Sequence, residues 1–387
     1  MAFLPFYIPA RKQLKIVIVG GGYAGIAALT TLVQYMPDAE ITIIDPRMHH
    51  LKITHLQETF RYPLSDFLVP FTALGQRFGC RHVCAELMPD EVTLQQWQND
   101  KCITFDDHSL PFDYLLIATG APAKGLVNHD SDYILDLNDF METAGSELLS
   151  KLLTGQGDRK DPISVIGGGA TGIQFLFEIV HFLQRHKFEN KLRLIESGER
   201  VLRQFPDRFA HYVQSSMTEL EIDFCPDTYF RGQQENIILL EEKNTGRRYE
   251  LPSSLSLLFA GKQQGNQFTA NAFGQVIVNH RVLPHIFVAG DCSHYQSFGS
   301  NALTAQSAVR KGKLAARNIL RHSGLLKILE PYMHHDIGYV VSLGSTDAVG
   351  WLAVENNVVT GIAASVIKEI VEAQYDLLLT GIDTYLI

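Results

Sequence analysis

Cysteine is scarce. The 387-residue chain has five (Cys80, Cys84, Cys102, Cys225, Cys292), an odd set without a CxxC pair. Neither a zinc site nor a disulfide framework is favoured, and such usage suits a reducing, cytoplasmic compartment. No run of basic residues occurs, and Lys+Arg 33 against Asp+Glu 42 leaves a net charge of −9, so DNA and RNA are poor partners. No stretch reaches the roughly 18 consecutive apolar residues of a bilayer-spanning helix. The apolar opening MAFLPFYIPARK carries its charges after the apolar stretch and is followed by no small-residue cleavage site. That predicts a mobile arm rather than a secretory signal. Core-forming residues are not lacking: 46% of the chain is hydrophobic and 19% charged, which excludes a disordered protein. At this length more than one domain is expected.

What is present is a unit that occurs twice. Lys15 to Val19 is a continuous β-branched run, the pattern of a strand buried on both faces of a parallel sheet. Gly20-Gly21-Gly22-Tyr23-Ala24-Gly25 follows, then helical spacing from Ile26 to Met36, a strand from Glu40 to Ile44, and Asp45. Each glycine of this GxGxxG has a mechanical job. Gly20 allows the tight turn, Gly22 the approach of a pyrophosphate, and Gly25 close packing of helix on strand. The helix N-terminus offers free N–H groups to the diphosphate. Asp45, at a strand end, can accept the ribose hydroxyls. The second copy runs from a strand at Ile163 to Ile166 through Gly167-Gly168-Gly169-Ala170-Thr171-Gly172 and a helix to Arg185. A strand from Leu192 to Ile195 then ends at Glu196. Glu196 would bind a ribose diol and repel a 2′-phosphate, which predicts NADH over NADPH, although Arg193 and Arg200 lie close in sequence. Two such sites predict a resident flavin and an exchanging nicotinamide.

The remaining pattern is sheet and helix. Tyr114 to Ala118 is a buried strand before Thr119-Gly120, and Ser256 to Ala260 repeats it before Gly261. Gln275 to Val278 reads as a strand, as does Ile286 to Ala289, which ends in Gly290-Asp291. There a carboxylate can reach a ribityl hydroxyl. A helix is expected from Leu303 to Leu320, β runs at Tyr339 to Leu343 and Val349 to Val354, and a last helix from Gly361 to Thr380. On that helix Ile362, Val366, Ile370, Ala373 and Leu377 form an apolar stripe opposite Lys368, Glu369, Glu372 and Asp376.

From residue 15 to about 380 the chain resembles the type II NADH dehydrogenases, the non-proton-pumping NADH:quinone oxidoreductases among two-dinucleotide-fold flavoproteins. Gly20, Gly22, Gly25 and Asp45 match that family's FAD motif, and Asp45-Pro46-Arg47-Met48-His49-His50-Leu51 looks like its His-containing loop. Ala118-Thr119-Gly120 and Gly290-Asp291 match its further flavin-binding stretches. The resemblance also implies Tyr23, Ala24, Leu87, Gly261 and Ala305 as cofactor contacts. Its nicotinamide motif, GGGxTGxE, matches from Gly167 through Gly169, Thr171 and Gly172, then departs at Gln174, where Glu is usual. Glu178, four positions on, is retained. Its AQxAxQxG motif is partly present in Ala305-Gln306-Ser307-Ala308-Val309-Arg310-Lys311-Gly312, with Arg310 replacing the second Gln. Gln174, Glu178, Gln306 and Arg310 are thereby the candidate catalytic residues. Arg310 lies one turn after Gln306, where its charge would stabilise an anionic quinol or reduced flavin, or else it is a solvated surface arginine.

The resemblance implies an α/β fold of two Rossmann-like domains. These are an FAD domain at 1–125 and 263–330, an NADH domain at 126–262, and a C-terminal region at 331–387. It implies FAD and NADH as cofactors, a quinone or other small electron acceptor, and electron transfer without proton pumping. A flavin reductase for a soluble carrier and a redox-sensing flavoprotein are the alternatives. The chain lacks the CxxxxC of disulfide reductases. Sulfide:quinone reductases need cysteines in the middle and late chain, yet residues 103–224 hold none and none follows Cys292. The pairs His49-His50 and His334-His335 read as loop packing rather than metal ligands. Family members use a C-terminal segment to sit on a membrane, here the cytoplasmic face. The net acidic polar face of the last helix equally suits docking on the protein itself or on a homodimer partner.

Overall fold

The computed structural model describes residues 3–11, 13–105, 108–121, 133–155, 160–259, 261 and 267–385. Two parallel sheets carry the fold. In the first, Lys15–Val19 runs between Glu40–Ile44 and Tyr114–Ile117, with Arg81–Val83 outside one neighbour and Arg281–Val288 outside the other. Gln275–Val278, Phe268–Ala270 and Ser293–Tyr295 complete its edge. In the second, Ile163–Ile166 lies between Leu192–Ile195 and Leu255–Leu258, flanked by Asp223–Cys225 and Ile134–Asp136. Ile18, Ile43, Leu116, Val165 and Leu194 are fully buried, as strands covered on both faces require. In both sheets the strand before the glycine turn is central and the acid-bearing strand is its neighbour, so a ligand crevice opens beyond the carboxyl ends. The chain is thus α/β with two Rossmann-like units, as the sequence predicts. The domain boundaries expected at 125/126 and 262/263, and Ala260 of one expected strand, fall outside the described residues.

Four helices shape the site: α1 (Tyr23–Tyr35), α2 (Ala170–His186), α3 (Ala305–Ser323) and α4 (Ile362–Leu379). Helix α3 starts two residues later than expected because Thr304 caps it, its hydroxyl accepting from the Ser307 N–H at 3.1 Å. It packs on α1 so closely that a methyl at Gly312 would stand 2.2 Å from the Ala24 carbonyl oxygen. That contact explains why the acceptor-side motif retains its glycine. Beyond α3, Gly338–Ser342, Ala348–Leu352 and Val354–Thr360 form an antiparallel sheet, whose last strand the sequence reading did not separate.

One expectation needs correction. Residues 3–11 of the N-terminal arm are docked on the body rather than free. Leu4 is buried, Arg321 Nε donates to the Pro5 carbonyl at 3.1 Å, and the Leu325 N–H donates to the Ile8 carbonyl at 3.0 Å. Helix α4 turns Lys368 and part of Glu372 inward while leaving Glu369 and Asp376 exposed. Lys368 and Tyr375 are buried, while Ile362, Val366, Ile370 and Leu377 are exposed. The reason is that the body offers partners for the charges: Lys368 Nζ stands 2.6 Å from both Glu58 Oε1 and Glu372 Oε1, and Lys52 pairs with Asp376.

Candidate cofactor and acceptor site

The two glycine turns are built alike to within small differences. Gly20 and Gly167 have φ of +106° and +108°, a region that side-chain-bearing residues rarely enter. Their N–H groups donate to Ile44 and Ile195 carbonyls at 2.8 and 2.9 Å. A methyl at Gly25 would meet the Gly20 carbonyl oxygen at 2.0 Å, and one at Gly172 the Gly167 oxygen at 1.9 Å, so each last glycine lets its helix press on its turn. Gly22 and Gly169 face open space, with nothing within 4 Å of an added Cβ. They are also the N-cap residues of α1 and α2 and lend no side-chain hydrogen bond, leaving the first-turn N–H groups to an anion. Backbone amides aimed across open space at both helix ends fit a dinucleotide diphosphate at each.

The acids repeat the pattern. Asp45 Oδ2 accepts the Gly21 N–H at 2.7 Å, and Glu196 Oε2 accepts the Gly168 N–H at 2.6 Å. Each carboxylate also holds an arginine. Arg47 lies bidentate on Asp45 at 3.0 Å, and Arg203 stands 3.3 Å from Glu196 Oε1. Burial pushes the Asp45 carboxyl up, but Arg47 outweighs it and leaves Asp45 below the ordinary carboxylate range. A ribose diol reaching Asp45 must take the place of the Arg47 guanidinium. The arginine that stands on Glu196 is Arg203, and not Arg193 or Arg200, which lie nearer in sequence. Arg193 pairs with Asp223 at 2.8 Å, and Arg200 binds the Leu202 and Phe205 carbonyls and Asp207. Both had better-matched neighbours in the fold than Glu196.

The first site converges from distant segments. Gly290, at φ +79°, lies against Ala24, and Cys292 Sγ reaches the Ala289 carbonyl at 3.3 Å beside the end of Tyr114–Ile117. Thr119 lies beside Gly20, and Ala308 of α3 beside Gly290, so these segments meet at the Gly20 turn; Gly120, Asp291, Ala305 and Gln306 adjoin them in sequence. Tyr23 bonds Thr54 at 2.8 Å and lies tilted against the Tyr375 ring at 4.4 Å, while Leu87 packs on the core cluster that includes Val19 and Cys292. At the second site Thr171 is exposed at the start of α2, and Phe259 and Gly261 (φ +86°) follow the strand beside the Gly167 turn.

The candidate catalytic residues separate. Gln174 Nε2 donates to Ser342 Oγ at 3.1 Å, which ties α2 to the C-terminal sheet. Glu178 is buried, and both of its carboxylate oxygens stand 3.1 Å from Arg61 Nε, so in this structure it is held in an ion pair. Arg310 is not a solvated surface residue either. Its guanidinium lies over the Tyr385 ring at 5.6 Å, and burial lowers its pKa.

Three features were not foreseen. His50 bridges the first turn to α4. Its Nδ1 is 2.9 Å from the Gly21 carbonyl, an acceptor only, so Nδ1–H donates and Nε2 accepts from the Tyr375 hydroxyl at 2.9 Å. Burial holds this imidazole neutral, with a pKa of about 4. Lys311, buried in α3, binds Ser293 O and Asn301 Oδ1 at 3.2 and 3.0 Å between the Tyr295 and Tyr332 rings, and burial lowers its pKa to about 8. Its position four residues from both Ser307 and Ala315, on the small-residue face of α3, was the available signal. Lastly, His55, Glu58 and Glu372 come together in a grouping that could hold a metal ion, but the Lys368 ammonium already supplies the counter-charge there.

Comparison with known proteins places this geometry. The pyridine nucleotide-disulphide oxidoreductase family model matches residues 14–312. Type II NADH:quinone oxidoreductases are similar along the whole chain. That of Staphylococcus epidermidis is 26% identical, covering 96% of this chain and 98% of its own, and that of Staphylococcus aureus is 24% identical, covering 94% and 96%. In fold the chain is similar to NDH2 from Plasmodium falciparum in complex with NADH (TM-score 0.73, 15% identity, covering 96% of each chain). It is also similar to the sulfide:quinone oxidoreductase of Aquifex aeolicus (TM-score 0.72, 18% identity, covering 95% and 92%). With two glycine turns of one geometry and a family model spanning both, the chain belongs to the pyridine nucleotide-disulphide oxidoreductase family, where its full-length relatives are type II NADH:quinone oxidoreductases.

Proposed function

We propose that the protein is an NADH:quinone oxidoreductase that holds FAD at the first glycine turn and NADH at the second. The observation carrying this reading is the duplicated turn, each copy with a helix N-terminus that no side chain caps and a buried acid, in a chain whose full-length relatives bear that activity. Gly20, Gly22, Gly25, Asp45, Thr119, Gly120, Gly290 and Asp291 would hold FAD. Gly167, Gly169, Thr171, Gly172, Glu196 and Gly261 would hold NADH. A bound flavin supplies what no side chain here can, acceptance of an electron pair from a nicotinamide and its release to an acceptor. The chain contributes position and field. Backbone amides at both helix ends carry the diphosphates, and the N-terminus of α3 with the Lys311 ammonium presents positive charge to the acceptor edge. Gln306 and Arg310 serve the acceptor from α3, and the domains divide near 125, 262 and 330.

The outward stripe of α4 supports a peripheral seat on a lipid surface, from which a lipid-dissolved quinone is reached; a homodimer would cover the same stripe. Among the described residues no helix is long and apolar enough to cross a membrane. The deciding experiment is the visible spectrum of the purified protein before and after anaerobic NADH, followed by addition of menadione. A flavin band that bleaches and then returns is the expected result, and a colourless protein ends the reading.

Glu196 predicts preference for NADH, whereas Arg203 beside it offers a 2′-phosphate a counter-charge. Arg203→Ala is therefore expected to raise the NADH-to-NADPH ratio of kcat/KM roughly tenfold, the weight of one exposed charge-assisted hydrogen bond. An unchanged ratio would remove Arg203 from nucleotide selection.

A further inference from the structure

Residues 331–336 cross the N-terminal turns of α3 and are pinned there. The Tyr332 N–H donates to the Ala272 carbonyl and the Ser300 N–H to the His334 carbonyl, both at 2.8 Å, and the Tyr332 hydroxyl lies 3.3 Å from Ser307 Oγ. Within this segment, His334 Nε2 and Asp336 Oδ1 are shut away from solvent without a hydrogen-bond partner among the described residues. They stand 4.0 Å apart. That is too far for a hydrogen bond between them, and a separation that one oxygen atom within hydrogen-bonding distance of both would bridge. Two neighbouring buried orphans are a costly arrangement unless a third group completes it.

The charged surroundings define what that group meets. Arg310 from α3 and His335 face His334, and together with burial they hold its pKa near 4, so the ring is neutral. His335, Tyr332 and Tyr339 face Asp336, whose carboxyl is pushed up by burial. Arg310 itself is faced by Tyr385, Tyr332, Asp383 and Arg317. Gln306 and Arg310 cannot release a proton near neutrality. Yet reducing a quinone to a quinol takes up two electrons and two protons. NADH brings both electrons and one proton, and the second must come from solvent.

Resting on the acceptor reading above, we propose that His334 and Asp336 bind an acceptor oxygen between them and that Asp336 relays a proton from solvent to it. Neutral His334 donates its Nε2–H to that oxygen and orients it. As the acceptor takes electrons and its oxygen becomes basic, the Asp336 carboxylate takes up a proton from solvent, which reaches its partly exposed side chain. That O–H bond then breaks as an O–H bond forms on the acceptor, and the carboxylate ends as it began.

The test compares two oxidants of the NADH-reduced holoenzyme in stopped flow: menadione, which takes protons with its electrons, and ferricyanide, which takes electrons alone. Asp336→Asn is expected to lower the ratio of menadione to ferricyanide rates roughly a hundredfold, the weight of one general acid. It should also flatten the decline of the wild-type menadione rate with rising pH, and Asp336→Glu should restore part of both. Should Asp336→Asn not fold, His334→Gln is read in the same way and lowers the same ratio. Rates that change in equal proportion for both oxidants, or not at all, overturn the proposal. A wild-type protein that reduces ferricyanide but no quinone overturns the acceptor reading itself, and the proposal with it.

Discussion

Gly25→Ala should yield a protein that is both flavin-free and markedly less stable, while Gly22→Ala should lose flavin with its apo stability intact. The methyl at Gly25 would stand 2.0 Å from a backbone oxygen and 3.3 Å from Ile18 Cγ2, and neither can swing away. Relief requires α1 to lift from the sheet, but α3 blocks it from behind at Gly312. Overpacking of this kind typically costs about 1–3 kcal/mol, and more where the obstacle is main chain. At Gly22 the methyl meets nothing within 4 Å, so it intrudes only on the ligand's space. Thermal unfolding of the apo forms and the flavin-to-protein absorbance ratio separate the two outcomes. Equal behaviour of the two variants would mean that the Gly20 turn is not the flavin turn.

Lys368→Met carries the second large effect. Removing the ammonium leaves Glu58 and Glu372 facing each other with little exposure, and stranding buried charge in this way costs about 3–5 kcal/mol. The lysine lowers both carboxyls, yet their net shifts are opposite. Burial raises Glu372 and wins there. At Glu58 burial also raises the carboxyl, but His55 and Lys368 together outweigh it and bring the pKa from 4.5 to about 2. A carboxylate held low in the folded state contributes stability above its unfolded value, and that contribution fades as pH falls from 4.5 towards 2. The stability gap between wild type and Lys368→Met, measured by urea unfolding, should thus be full at pH 7 and shrink across that acid window. A gap independent of pH would show that packing of the lysine stem, not its charge, holds α4.

Local pattern made the two dinucleotide units legible, because strand, turn, helix and acid are consecutive and each glycine's duty is set by its immediate neighbours. The tight turn at Gly20 and the buried Asp45 needed no knowledge of distant chain. The arginines on the acids were less visible. Arg203 reaches Glu196 only because the chain between them folds back, and Arg193, nearer in sequence, is drawn to Asp223 on the adjacent strand. The seating of helix α4 stayed open for the same reason. Its stripe was correctly grouped, but which face turned inward depended on Glu58 and Lys52, some 300 residues away. The orphan pair at His334 and Asp336 was seen only as adjacent histidines, since burial without a partner has no sequence signature.

The glycine contacts form a mechanical column. Gly20 abuts the Ala118 carbonyl, Gly25 abuts Gly20, and Gly312 abuts Ala24, each main chain against main chain with no side chain between. Side chains are the compliant layer of a protein interior, and here that layer is missing along the line from the central sheet through α1 to α3. The sheet edge, the diphosphate turn and the acceptor helix therefore move as one stiff block. Whatever admits or releases an acceptor must yield on the opposite wall, where residues 331–336 and α4 are held by side-chain contacts alone or by a few hydrogen bonds that can break and re-form.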